Sequence, residues 1–171
     1  MARSHPCDLP QGSRLRTSLP RIDYLDSFAV RMSKPTDDIV ALYAAALGHL
    51  PRAFKHLLVI RSALVRPFGL SGVSRDDLAQ PIDTKRAYAI GDRIGRWTLF
   101  QKHPGELIAG ADDRHLDFRV SLFRDGGDRV VLSTAIMTHN VLGRLYLTAI
   151  LPFHRFGVAT LLTRAATTGR L

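Results

Sequence analysis

The chain has 171 residues, 46% of them hydrophobic and 23% charged, a balance that supports one folded domain with a sizeable core and argues against wholesale disorder. Twenty-four Lys and Arg against fifteen Asp and Glu give a formal charge of +9, which favours encounter with anionic partners. The basic residues are scattered, without zinc-finger spacing or an aromatic-basic RNA-recognition strand, so nucleic-acid binding is not expected.

Residues 1–20, MARSHPCDLPQGSRLRTSLP, contain three prolines and no hydrophobic period. They read as a flexible or surface-wrapping arm ahead of a single domain over residues 21–171. The arm lacks the apolar core of a secretory signal, and no run in the chain reaches the ~18 uninterrupted apolar residues of a membrane-spanning helix. Cys7 is the only cysteine, which excludes an intrachain disulfide and a cysteine-based zinc site and suits a cytoplasmic location.

Alternation in DYLDSFAVRM sets Tyr24, Asp26, Phe28 and Val30 against Leu25, Ser27, Ala29 and Arg31, and predicts the first strand. KPTDDIVALYAAALGHL predicts a helix with Thr36 as N-cap, a stripe of Ile39, Leu42, Tyr43 and Ala46, and Gly48 as terminator. Pro51 opens a second predicted helix, PRAFKHLLVIRSALVRPFG. Residues 66–92 read as a long connector with a short helix at SRDDLAQ.

The period then changes to two. GRWTLFQK, GELIAGAD, RHLDFRVSLFR and DRVVLSTAIMTH predict four successive strands, and Asp125-Gly126-Gly127-Asp128 is a strong hairpin signal. The last segment, NVLGRLYLTAILPFHRFGVATLLTRAA, predicts a long helix. Its expected inward face carries Leu142, Leu145, Tyr146, Ala149, Ile150, Phe153, Gly157, Thr160 and Leu161, and Pro152 is expected to kink or interrupt it.

Helices segregated from a run of strands indicate an α+β fold. Curling the antiparallel sheet around the last helix, with the helix pair closing one end, resembles the helix-grip arrangement of START-like and Bet v 1-like (SRPBCC) proteins. That resemblance implies an apolar cavity between sheet and helix.

The words DYLDSF, LPRAFKHLLVIRSALVRPFGL, GADDRHLDFRVSL and GRLYLTAILPFHR resemble, in this order, the bacterial family called domain of unknown function 2867, from about Arg21 to Arg164. The resemblance implies a START-like fold, which some relatives carry behind a nucleotide-sugar-epimerase-like oxidoreductase domain. The glycine fingerprint of such a partner is missing here. Ala53 and Ser62 depart from the family pattern, which usually has Trp and Asn there. No catalytic residue carries across, because no chemistry is attached to the family.

Among the polar groups, the strand DRHLDFRVS is the densest. His115, Asp117, Arg119 and Ser121 share one face, and Leu116, Phe118, Val120 and Leu122 the other. The bland reading turns the polar face to water or a cross-strand ion pair. A metal gripped by Asp113, His115 and Asp117 is a second reading, weakened by the absence of a second His-rich element; no metal or cofactor is expected. The third is a network at a pocket mouth, in which Asp117 orients His115 for acid–base work and Arg119 holds an anionic group.

Elsewhere, Arg61 either snorkels from its helix or anchors a carboxylate. His154 follows Pro152, where it satisfies a freed carbonyl or faces a ligand, and Tyr146 offers a hydroxyl. Asn140 is the better N-cap for the last helix than His139.

The favoured expectation is a binding domain for a small hydrophobic or amphipathic molecule. Leu116, Phe118, Val120, Ile136, Tyr146, Ile150 and Phe153 would line the cavity, with Arg61, His154 or the His115–Asp117–Arg119 network fixing the polar end. The alternatives are a cyclase-, hydrolase- or isomerase-type enzyme using His115 with Asp117, and an interaction module for an oxidoreductase partner or an acidic membrane surface.

Overall fold

The structure, a computed structural model, describes residues 3–51, 54, 56, 62 and 80–171. Most of the second predicted helix, including Arg61 and Ala53, and nearly all of SRDDLAQ lie outside them.

The described residues form an α+β structure with one antiparallel sheet. Its strands are β1 (His5–Pro6), β2 (Tyr24–Arg31), β3 (Arg93–Ile94), β4 (Trp97–His103), β5 (Glu106–Asp112), β6 (Leu116–Asp125) and β7 (Arg129–Thr138). They are ordered β1-β2-β7-β6-β5-β4-β3. From β3 to β7, sequence neighbours are spatial neighbours, as short turns dictate. Gly126 sits at φ 78 in the β6–β7 turn, a conformation that side chains with a Cβ resist. β2 pairs with β7 along its whole length, Tyr24 opposite Ile136 and Arg31 opposite Arg129, and the short β1 lies beyond it at the edge.

Among the described residues, two α-helices cover the inner face. In α1 (Ile39–Leu47), the cap is Asp38, whose carboxylate accepts the N–H groups of Val40 and Ala41. Thr36 was the expected cap, but the helix starts at Ile39, so the residue next to it takes the role, and the Thr36 hydroxyl accepts the Asp38 N–H instead. Gly48 ends the helix as expected. The long C-terminal helix α2 (Val141–Thr167) starts at Asn140, whose side-chain oxygen accepts the Gly143 N–H.

α2 runs unbroken through Pro152. Pro152 lies on its exposed side, where water can take the carbonyl that proline leaves without a donor. The face α2 buries shares Gly157 with the expected stripe but otherwise differs: Gly143, Leu147, Leu162, Ala165 and Ala166 go inward, whereas Leu145 and Phe153 are 64% and 62% exposed. Glycine explains the choice. A Cβ on Gly143 would stand 2.1 Å from the His115 carbonyl oxygen, so the first turn of α2 rests on the chain entering β6 only because nothing projects there.

The main core lies between the inner face and the helices. Phe28, Val30, Leu99, Leu107, Val120, Leu122 and Leu132 pack with Leu42, Tyr43 and Ala46 of α1 and Leu162 and Ala165 of α2. Each large side chain so buried contributes about 1.5–3 kcal/mol.

The outer face is covered as well. Residues 3–20 wrap across it: β1 pairs with β2, and a 3₁₀ turn at Arg14–Thr17 drives Leu15 to 0% exposure against Leu19, Ile108 and Ala135. A buried carboxylate fastens this strap. Glu106 accepts from the Ser13 hydroxyl at 2.6 Å, the Arg14 N–H at 2.8 Å and the Ser121 hydroxyl at 2.5 Å.

Candidate functional site

β6 has the alternation read from its sequence. Leu116, Val120 and Leu122 are buried on the inner face, while Asp117, Arg119 and Ser121 point outward beneath or beside the strap. The outward groups do not converge on one point.

Asp117 lies 3.0 Å from His139 Nε2 and also accepts the Asp113 N–H. Arg119, 6% exposed, pairs with Asp112 at 2.6 Å and donates to the Phe118 carbonyl, its guanidinium lying 3.5 Å over the Phe100 ring. His115, in the bend before β6, points to the start of α2. Asn140 accepts the Gly143 N–H through its oxygen, so its amide nitrogen donates to His115 Nδ1 at 2.9 Å. The other ring nitrogen, Nε2, is buried with no hydrogen-bond partner among the described residues. The three residues therefore hold a helix cap, a His–Asp pair and a strand–strand ion pair in place. Among the described residues, no three of His, Cys, Asp or Glu come together in a form that could hold a metal ion.

A different constellation forms on the inner side, where α2 crosses the edge of the sheet at β2. Tyr24 and Asp26 project from β2 toward His154 of α2. The Tyr24 hydroxyl donates to Asp26 Oδ2 at 2.6 Å. Asp26 Oδ1 and His154 Nε2 face each other at 3.5 Å. Both atoms are buried, and neither makes a hydrogen bond among the described residues. The rings of Tyr24 and His154 meet edge to face, 6.2 Å between centroids.

Burial pushes the Tyr24 phenol above its ordinary range, and the hydrogen bond to Asp26 pushes it further, with Arg155 opposing. The phenol thus stays protonated and donating at neutral pH. Around the trio lie Leu116, Ile136 and Leu147, with half-buried Phe118, Tyr146 and Leu151 packed against them.

Sequence reasoning singled out His154 and Tyr146 but passed over Tyr24 and Asp26. The signal was present: a carboxylate shares a strand face with Tyr24, Phe28 and Val30. The other expected lining residues divide. Val120 belongs to the main core, Ile150 is half-buried on α2, and Phe153 faces solvent. Arg61 lies outside the described residues.

A cleft opens elsewhere, between the end of α1 and the β3–β4 hairpin. Tyr43, Gly48, Ile94 and Trp97 line it, with about 20 Å³ of free volume, room for a single water. The Arg96 guanidinium stacks over the Trp97 ring at 4.3 Å.

A family model described as "Protein of unknown function (DUF2867)" matches residues 18–161. No curated protein and no solved structure matches the chain.

Proposed function

The chain belongs to this family of proteins of unknown function, and we propose that it is a binding domain that takes a small amphipathic molecule at the seam between β2 and α2, on a helix-grip scaffold of the START-like kind. The observation that carries this reading is the facing pair of unsatisfied buried atoms, Asp26 Oδ1 and His154 Nε2. A buried polar atom left without a partner costs about 1–3 kcal/mol, and such atoms in a folded protein call for an explanation. A ligand hydroxyl, amine or amide over the pair supplies the missing bonds. Phe118, Tyr146 and Leu151, half-buried beside it, then take the apolar part of the ligand.

The antiparallel sheet with a long C-terminal helix across its inner face supports the helix-grip assignment. His115, Asp117 and Arg119 serve as supports of the scaffold in this reading: each holds a neighbouring element, and the unsatisfied His115 Nε2 and Arg119 Nε are not paired face to face as Asp26 Oδ1 and His154 Nε2 are.

Native mass spectrometry of the purified protein, followed by solvent extraction, is the direct test. The expected result is a bound small amphipathic species that is lost in Asp26→Asn and His154→Ala, both variants remaining folded. Retention of the same species by both variants would place the ligand elsewhere. An unliganded wild type that gains no thermal stability from a library of fatty acids, sterols and aromatic amphiphiles would remove the binding reading altogether.

A further inference from the structure

The outward side of α2 is apolar without being covered. Among the described residues, five large hydrophobic side chains are exposed, and four of them lie on this helix: Val141 at 68%, Leu145 at 64%, Phe153 at 62% and Phe156 at 70%. At 100° per residue they fall within one continuous arc, filled in by exposed Thr148, Ala149 and Pro152. Scattered exposed apolar residues need no explanation, but a contiguous stripe over four turns marks a contact surface.

Charge identifies the contact. The 27 residues of α2 include no Asp or Glu. Arg144 and Arg155 are exposed along one margin of the stripe. The chain as a whole carries +9. A second copy would bring the same arginines and the same net charge to the interface, whereas an anionic bilayer meets both the apolar stripe and the basic margin.

α2 is also long and apolar enough to cross a membrane by length and composition alone, with 22% of its most apolar window buried. Crossing would tear Gly143, Leu147, Gly157 and Leu162 from the sheet and α1. Lying in the interface keeps those contacts. Apolar residues on one side with arginines at the margin are the composition of an interfacial helix.

We propose that the exposed face of α2 docks the protein on an anionic lipid bilayer, with Phe153 and Phe156 inserted among the acyl chains and Arg144 and Arg155 at the headgroups. This inference is independent of the ligand reading, because the stripe points away from the Tyr24–Asp26–His154 seam and none of its residues holds that ligand.

Vesicle co-sedimentation tests it, using pure phosphatidylcholine against a phosphatidylcholine–phosphatidylglycerol mixture across a salt series. Wild type is expected to bind the anionic vesicles about tenfold or more better than the neutral ones. Binding should weaken as salt rises. The double variant Phe153→Asp, Phe156→Asp should stay in the supernatant while its circular dichroism and thermal midpoint match wild type. Arg144→Glu with Arg155→Glu should erase the preference for anionic lipid. Tryptophan placed by Phe156→Trp should shift its emission to the blue on the anionic vesicles.

Wild type remaining in the supernatant would overturn the proposal. So would a double-Asp variant that sediments like wild type, since charge alone would then account for binding. A stable dimer in vesicle-free solution that the double-Asp substitution dissociates would assign the stripe to a second copy and overturn it as well.

Discussion

The two faces of the sheet treat their polar groups differently. On the outer face, Glu106 is surrounded by three donors, Asp117 has His139, and Arg119 has Asp112, a backbone carbonyl and the Phe100 ring. Stray atoms exist there too, such as Arg119 Nε, but they are not set against one another. At the inner seam, two unsatisfied atoms from different elements, Asp26 Oδ1 and His154 Nε2, are aimed at each other. The outer face uses polarity to fasten a strap and a helix cap. The seam leaves polarity unspent. Charge density therefore locates the framework of this protein, and unmet hydrogen-bonding capacity locates its candidate site.

The comparison predicts opposite responses to substitution, and the largest belongs to the outer face. Glu106→Ala removes the acceptor of three hydrogen bonds at a site 3% exposed. A loss of about 3 kcal/mol is expected in urea unfolding, with cleavage of residues 3–20 by a protease at much lower doses. A strap that stays resistant in the variant would show that Leu15 and Leu19, not the carboxylate, hold it.

Next in size is Gly143→Ala. Its new Cβ would collide with the His115 carbonyl, backbone against helix, so neither side can yield by turning a side chain. About 2 kcal/mol of destabilisation is expected from such overpacking. If thermal melting instead shows no loss, the contact between α2 and the start of β6 is softer than drawn, and His115 is freer to act.

Much of this framework was legible in the sequence. Each strand from β4 to β7 is bounded by turn residues, and two-residue alternation locates them to within a residue or two. The arm reads as flexible or surface-wrapping, and the sequence does not choose between the two, because Leu9, Leu15 and Leu19 follow no period and their burial depends on contacts with the outer face. The buried side of α2 escaped for the opposite reason. The helix is apolar nearly all round, so periodicity offers several faces, and close approach at Gly143 and Gly157 decides among them. Ranking by polar density favoured His115, Asp117 and Arg119. Asp26, alone on an apolar strand face, was the quieter and more informative residue.

A smaller effect concerns the margin where the strap joins β2. Asp23 accepts from Arg21 and from both the N–H and hydroxyl of Thr138. The Arg21 guanidinium first, and then Thr138, hold its carboxyl well below the usual carboxylate range. Its folded pKa is depressed, so the stability it contributes is fully present above the unfolded value of about 3.9 and is lost progressively as pH falls from there through the depressed folded value. Because the site is solvent-washed, roughly 1 kcal/mol is expected. Urea midpoints of wild type and Asp23→Asn should differ at pH 6 and approach each other toward pH 3. A gap that persists unchanged at pH 3 would mean the ionised carboxylate is not its source.

The smallest change in stability is the one that most directly tests the contrast between the faces. Asp26→Asn keeps an oxygen for the Tyr24 hydroxyl and replaces the unsatisfied Oδ1 with an amide able to donate to His154 Nε2. If the seam is held unsatisfied for a ligand, the variant should be as stable as wild type or firmer by up to about 1 kcal/mol, while ligand uptake falls. That is the pattern in which a binding site trades stability for function. Paired urea curves and native mass spectra read both quantities from one preparation. A variant that loses stability on the scale of Glu106→Ala would make Asp26 another fastening, like those on the outer face, and the contrast between the two faces would collapse.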